Sequence, residues 1–148
     1  MGNDRNRFSV YIASPLKNAP TARTVATLVA NYGFAVSSTW HDVVKPGDVD
    51  PTDAVTRSET ARQCMTELLD SWATLVLLGP DGAPRGTYVE AGMSASAGMP
   101  TLWVYAPRAD HVVVATCFDA LPGSSVHMSI QDAVKHLVDL RKLQGGMS

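Results

Sequence analysis

The residues best suited to catalysis lie in the segment from Arg85 to Met93. There a turn containing Gly86 places one carboxylate, Glu90, within a run of small residues. The apolar run 75–78 precedes it, so the pattern predicts a strand, a glycine-rich turn and the start of a helix. The positive end of a helix dipole favours the ionised form of a carboxylate. An ionised carboxylate above small side chains can attack an anomeric carbon, as in enzymes that form a glycosyl-enzyme ester.

The same residues also fit a structural role. Thr87 and Glu90 have the spacing of a capping box, in which Thr87 caps the helix and Glu90 bonds back to the N–H of that cap. Caps are far commoner than nucleophiles, so the motif taken alone favours the cap. The rest of the chain must decide between the two interpretations.

Size and charge exclude several classes of protein. A chain of 148 residues with 45% hydrophobic and 18% charged residues predicts one globular domain over 1–148, with 1–7 and 144–148 flexible. The net charge of -2, without a Lys/Arg run, predicts no nucleic-acid partner. No apolar stretch approaches the roughly 20 residues of a membrane span, so no membrane partner is expected.

The cysteines and the N-terminal residues indicate the compartment. Cys64 and Cys117 lie far apart, without a CxxC spacing and without clustered histidines, which predicts neither a disulfide framework nor a metal site. The first seven residues are polar and are not followed by a signal-peptide core. Together these features predict a protein of the reducing cytoplasm.

Strand and helix patterns alternate along the chain. Strands are predicted at 8–13, 34–40, 74–78, 101–105 and 124–127, with a loop at 41–51. Helices are predicted from 20 or 21 to 32, over 52–71, up to Gly98 and over 129–143. The inner face of the helix 52–71 is expected to consist of Ala61, Cys64, Met65, Leu68 and Leu69.

This alternation predicts an α/β fold that is doubly wound, flavodoxin-like or Rossmann-like. Its sheet of five strands should be mostly parallel, with helices on both faces. In such folds ligands bind beyond the carboxyl ends of the strands, near the switch in strand order. The loops that leave those ends, 14–19, 40–53, 79–86 and 106–110, contain the residues of chemical interest.

Three segments, in this order and spacing, resemble the nucleoside 2-deoxyribosyltransferase family and its relatives that hydrolyse 2'-deoxynucleoside 5'-monophosphates. They are Val10–Pro15 (VYIASP), Gly33–Trp40 (GFAVSSTW) and Arg85–Ala95 (RGTYVEAGMSA). The likeness extends over roughly 8–140. It implies that Glu90 is the nucleophile that attacks C1' of deoxyribose, that Tyr11 orients this carboxylate, and that no cofactor is needed.

The resemblance also implies substrate contacts. Ser14 lies where the family holds the 5' end of the sugar, and with Lys17 it is expected to bind a 5'-phosphate, although a solvated Lys17 is the alternative. Trp40 is expected to stack on the base or to be a core tryptophan. The predicted contacts further include Glu67, Arg85, Gly86, Thr87 and Met93.

The chain departs from the family pattern at two places. An aspartate of the transferases falls at Thr66, where the adjacent Glu67 is a possible substitute. A second aspartate, or a serine in the hydrolases, falls at Pro84 or Arg85. Arg85 favours an anionic substrate, because guanidinium groups bind phosphate in a planar, bidentate manner; exposure to solvent is the alternative.

Three functions stay open from the sequence. The first is cleavage of the N-glycosidic bond of a 2'-deoxynucleoside or its 5'-monophosphate, with transfer to another base or to water. The second is a nucleotide-binding module without catalysis, and the third is a flavodoxin-like domain in which Glu90 is only a cap. The resemblance also implies a homo-oligomer, to which Asp119, Ser124, Ser125 and His127 are candidate contributors.

Overall fold

The computed structural model describes residues 7–43, 53–79, 85–105 and 117–145. Within these ranges the strands are β1 (Ser9–Ala13), β2 (Ala35–Val36), β3 (Ala73–Leu78), β4 (Thr101–Tyr105) and β5 (Ser124–His127). The α-helices are α1 (Ala19–Asn31), α2 (Trp40–Val43), α3 (Ala54–Leu69), α4 (Arg85–Ser96) and α5 (Ile130–Gly145). Short 3-10 helices occur at Leu16–Asn18 and Cys117–Ala120.

The strands form one parallel sheet in the order β2-β1-β3-β4-β5. This is the flavodoxin-like order, in which β2 is added on one side of β1 and the later strands on the other. The strand order therefore reverses between β1 and β3. The side chains of Tyr11 and Thr101 bond to α4 on one face, whereas Leu77 and Val104 share a cavity with α1 and α5 on the other. The predicted doubly wound α/β fold is therefore confirmed.

The three central strands have the composition that burial on both faces requires. Every residue of β1, β3 and β4 is buried. These strands are continuous apolar runs with few polar residues, as expected for a sheet covered by helices on both sides. The strand β5 lies at the edge and is only partly buried, which agrees with its composition of two serines, a valine and a histidine.

The second strand is shorter than predicted. Only Ala35 and Val36 pair with β1, instead of the whole of 34–40. Beyond them the hydroxyl of Ser38 accepts the backbone N–H of Ile12 at 3.1 Å, so a side chain replaces the next bond of the ladder. The chain then turns into α2 at Trp40, and 41–43 are helical rather than loop; the predicted loop residues 44–51 lie outside the described ranges.

Two other predictions about helices need correction. The helix α3 is confirmed within 52–71, but of its predicted inner face only Leu68 belongs to the buried core. Leu69 is exposed, and Ala61, Cys64 and Met65 line a cavity. The helix α5 ends at Gly145, two residues beyond the predicted end at 143, and residues 146–148 of the tail predicted to be flexible lie outside the described ranges.

A layer of aromatic rings closes the amino-terminal end of the sheet. The ring of Trp72 meets Phe8 edge-on at 5.0 Å between centroids and stacks on Phe34 at 6.1 Å. The guanidinium of Arg141 lies 4.1 Å above the Phe34 ring. Because Gln144 accepts the indole N–H of Trp72 at 3.1 Å, the last turn of α5 is held against this layer.

No helix in the described ranges is long and apolar enough to cross a membrane.

We expect Gly33→Ala to destabilise the protein more than Gly98→Ala. Both glycines have a positive φ, at +86° and +73°, which costs an alanine roughly 1–2 kcal/mol. A Cβ at Gly33 would also lie 3.3 Å from Nη1 of Arg141 and displace it from Phe34, whereas a Cβ at Gly98 meets nothing within 4 Å. Urea denaturation measures both losses; equal losses would contradict a stabilising role of the Arg141 contact.

Candidate functional site

A cavity of about 700 Å³ lies between α3 and α4, beside the carboxyl end of β1. The helix α3 lines it with Arg57, Thr60, Ala61 and Cys64, whose spacing of three, four and seven residues places them on one face. The helix α4 lines it with Gly86, Val89, Glu90 and Met93, which have the same spacing. The remaining lining residues are Ser14, Pro15, Leu16, Lys17, Trp40, Met65 and Thr87.

The predicted pair of Tyr11 and Glu90 meets at this cavity. The hydroxyl of Tyr11 donates a hydrogen bond to Oε1 of Glu90 at 2.9 Å, across 79 residues of sequence. Tyr11 is fully buried, and its burial, followed by the charge of Glu90, raises the pKa of the phenol. The phenol therefore keeps its proton and acts as a donor to the carboxylate.

The geometry contradicts the capping-box interpretation. Thr87 is buried and is the third residue of α4, so it does not occupy the cap position before the helix. Glu90 is the sixth residue and bonds to the side chain of Tyr11 on another element. The carboxylate is thus directed into the cavity by tertiary contacts.

The protonation of Glu90 differs from the prediction. A helix dipole was expected to favour the ionised form, but burial raises the pKa of Glu90 to about 7, although the hydrogen bond from Tyr11 lowers it. Desolvation of the charge therefore dominates. A carboxylate with a pKa near ambient pH suits a group that must be ionised when it attacks and easily released later.

Cys64 also lines the cavity, although the sequence did not indicate a place for it in the site. It lies on the cavity face of α3, within interaction range of both Tyr11 and Glu90, and burial raises the pKa of its thiol. The family aspartate was placed at Thr66, which is exposed and bonds back to the carbonyl of Arg62. Arg57, Ala61 and Cys64 are spaced by three to four residues. This spacing is the sequence signal that identifies which face of α3 lines the cavity.

Glu67 is not brought into the cavity. Its carboxylate accepts the backbone N–H of Thr39 at 3.1 Å and also the hydroxyl of Thr39, while Gln63 donates to the same hydroxyl at 3.1 Å. These bonds hold α3 against the turn that precedes Trp40. These bonds occupy the carboxylate of Glu67 in the structure, and its contact with substrate stays a prediction.

Trp40 lines the cavity as a fixed part of its wall. Its side chain is buried, and its indole N–H donates to the carbonyl of Ile12 at 2.8 Å. The adjacent His41 is also buried, with Nε2 3.1 Å from the hydroxyl of Ser38. Its Nδ1 lies 3.4 Å from Asp42 without the geometry of a hydrogen bond. Stacking of a base on Trp40 stays a prediction.

The other predicted contacts divide into two groups. Ser14, Lys17, Gly86, Thr87 and Met93 all line the cavity. Arg85, the first residue of α4, is exposed and does not line it. Arg57, which sequence reasoning did not single out, supplies an arginine to the cavity instead.

A second cavity of about 550 Å³ lies on the opposite face of the sheet, between α1 and α5. Its described lining residues carry no charged side chain, in contrast to those of the first cavity. Within the described ranges, no group of three or more His, Cys, Asp or Glu side chains is placed to hold a metal ion.

We expect Glu90→Gln to stabilise the protein at pH 8 and to have little effect at pH 4. The pKa of Glu90 rises from 4.5 to about 7 on folding, so wild-type stability falls as pH increases through this window. The amide can still accept the Tyr11 bond without a charge, and the gain at pH 8 should be about 1–2 kcal/mol after allowance for partial exposure. Urea denaturation at both pH values measures it, with Glu59→Gln on exposed α3 as the control; an equal gain at both would contradict the burial argument.

Comparisons with known proteins agree with this geometry. No protein-family model matches the chain, and no curated protein sequence does. Among solved structures, a 2-deoxyribosyltransferase from Bacillus psychrosaccharolyticus superposes with a TM-score of 0.63 at 18% identity, over 85% of this chain and 90% of that one. The CMP N-glycosidase BcmB of Clostridium botulinum gives 0.58 at 10% identity, over 88% and 98%.

A third structure, the 2-desoxiribosyltransferase from Leishmania mexicana, gives a TM-score of 0.57 at 20% identity, over 89% of this chain and 97% of that one. Each neighbour is matched over nearly its whole length. The chain therefore has the fold of the 2-deoxyribosyltransferases and of a nucleotide N-glycosidase, and the resemblance found in the sequence is confirmed at the level of the fold.

Proposed function

We propose that the protein cleaves the N-glycosidic bond of a 2'-deoxynucleoside or its 5'-monophosphate through a covalent deoxyribosyl ester on Glu90. The observation that carries this proposal is the 2.9 Å hydrogen bond between Tyr11 and Glu90 inside a cavity of about 700 Å³. The fold, shared with enzymes named as 2-deoxyribosyltransferases and a CMP N-glycosidase, supports it.

The two carboxylate oxygens have different environments. Oε1 accepts the bond from Tyr11, which leaves Oε2 to attack C1' of the sugar. As the C1'–O bond forms, the bond from C1' to the base nitrogen breaks, and its electron pair leaves with the base, which takes a proton from solvent. A nitrogen of a second base, or water, then attacks C1' and loses a proton to solvent, while the electron pair of the C1'–O bond returns to the carboxylate of Glu90.

The hydrogen bond from Tyr11 acts in both steps. It fixes the carboxylate before attack, and it stabilises the negative charge that returns to Glu90 when the ester breaks. Because the phenol is buried and its pKa is raised, it does not compete as an acid. The burial that raises the pKa of Glu90 also leaves its ionised form less hydrated, and hence a more reactive nucleophile.

The walls of the cavity suit a sugar and a base. Ala61, Met93 and Val89 supply apolar surface, while the backbone of Gly86 allows close approach to α4. The exposed side chains of Met65 and Val89 also favour self-association at the cavity rim, because apolar surface there is otherwise solvated. We therefore propose that the protein forms a homo-oligomer. We also propose that it acts in the cytoplasm.

The direct test is mass spectrometry of the protein mixed with a panel of 2'-deoxynucleosides and their 5'-monophosphates, with chromatography of released base. We expect a deoxyribosyl adduct and base release with the wild type, and neither with Glu90→Gln, which keeps the size of the side chain. Addition of a second base distinguishes transfer from hydrolysis.

The alternative function, a nucleotide-binding module without catalysis, gives a different result in this experiment. Binding of a nucleotide without release of base, and unchanged by Glu90→Gln, would contradict the proposed chemistry. If Glu90→Gln keeps the fold but loses base release, the result supports the proposed chemistry.

The pH dependence of the reaction provides an independent prediction. Because Glu90 must be ionised to attack, kcat/KM should rise with pH through an apparent pKa of about 7. The hydrogen bond from Tyr11 lowers the pKa of Glu90, so Tyr11→Phe should move this rise to higher pH and also lower its plateau. Tyr32→Phe, at an exposed position after α1, is the matched control. A rise that stays in place in Tyr11→Phe would contradict the coupling.

A further inference from the structure

Two histidines from different elements meet at the edge of the sheet. His127 is the last residue of β5, and His136 lies in the second turn of α5. Their ring centroids are 5.1 Å apart, and the ring planes are inclined at 43°. Both side chains are partly buried, and neither lines the cavity that contains Glu90. The pair is therefore a separate cluster of imidazoles that the proposed function does not use.

The separation of the two rings matches a tetrahedral metal site. An imidazole nitrogen lies roughly 1.2 Å from the centre of its ring and binds zinc at about 2.0–2.1 Å. Two histidines that bind one zinc ion at the tetrahedral angle therefore have ring centres about 5.2 Å apart. Ligands at a right angle, as in an octahedral site, would bring the centres to about 4.5 Å. The observed separation of 5.1 Å agrees with the tetrahedral geometry.

Ser125 determines which nitrogen of His127 is available to a metal ion. Its hydroxyl oxygen lies 2.8 Å from Nε2 of His127. When Nε2–H donates to this oxygen, the lone pair is on Nδ1, and Nδ1 is the nitrogen left for the ion. Histidine ligands commonly donate their second ring N–H in this way, which fixes the tautomer and the orientation of the ring.

The charges around the pair favour a bound cation. Burial, followed by the charge of His136, lowers the pKa of His127, although Asp132 opposes this effect. His127 is thus kept neutral, in the form that binds metal. Asp132 precedes His136 by four residues on α5, so the two lie on the same side of the helix. Its negative charge stabilises a divalent cation nearby, even without direct coordination.

We propose that His127 and His136 bind one Zn²⁺ ion, with water in the remaining coordination positions. In the part of the chain that the structure describes, no group of three His, Cys, Asp or Glu side chains is placed to hold a metal, so the site has two protein ligands and stays open. The sequence alone indicates no metal site, because its histidines are not clustered. The fold brings the two rings together, and a bound ion would link the edge strand β5 to α5.

Calorimetric titration with Zn²⁺, on protein freed of metal by a chelator, tests the site. We expect one ion per chain in the wild type and binding at least about tenfold weaker in His127→Ala and in His136→Ala, because each variant loses one of two ligands. Glu90→Gln, which alters the carboxylate beside Cys64 in the cavity, should keep the wild-type affinity. Absence of zinc binding, an unchanged affinity in either histidine variant, or a loss in Glu90→Gln would overturn the proposal.

Nitrogen-15 NMR of the imidazole rings locates the ion in the unsubstituted protein. We expect Zn²⁺ to shift Nδ1 of His127 and one ring nitrogen of His136 together, with saturation at one equivalent. The buried His41 is the internal control, and its signals should stay in place. Shifts of only one ring of the pair, or shifts at His41 alone, would contradict a shared ion. Neither experiment involves turnover, so the zinc site and the proposed function can fail independently.

Discussion

The site depends on keeping an ionisable carboxylate in a place where its charge is poorly solvated. Burial raises the pKa of Glu90 to about 7, and the hydrogen bond from Tyr11 offsets part of that effect. The cost of this arrangement must be met by the rest of the fold, because a domain of this size has only about 5–15 kcal/mol of net stability. The fully buried strands β1, β3 and β4 and the aromatic layer around Trp72 provide that stability away from the cavity.

The reversal of strand order explains why the cavity forms where it does. Since β1 and β3 are neighbours whose connections lead to opposite faces of the sheet, the segments that follow them diverge and leave a crevice. One stripe of side chains from α3 and one from α4 then form its walls. Glu67 contributes indirectly, because its bonds to Thr39 hold α3 against the turn that carries Trp40. A single crevice thus brings the Glu90 carboxylate and the cationic side chains of Lys17 and Arg57 into one lining.

The fold could be predicted from the sequence because strong local signals carry it, whereas the Tyr11–Glu90 pair was predicted from the resemblance to the family. Continuous apolar runs identify β3 and β4, and glycine and proline mark the ends of the elements. The position of Arg57 and Cys64 in the cavity lining could not be predicted, since this face of α3 mixes charged, polar and small residues and has no clear hydrophobic period. The strand predicted through Trp40 was too long because its β-type composition does not reveal that the Ser38 hydroxyl replaces a ladder bond.

The wide separation of Tyr11 and Glu90 along the chain makes this a site of late assembly during folding. The phenol belongs to the first strand, the carboxylate follows the third, and 79 residues lie between them. Closing so long a loop is entropically costly, and pairings between distant parallel strands form slowly. The pair exists only after β1 has paired with β3 and α4 has docked on the sheet. A partly folded chain, or one still emerging from the ribosome before α4, therefore holds the phenol without its carboxylate until the core is complete.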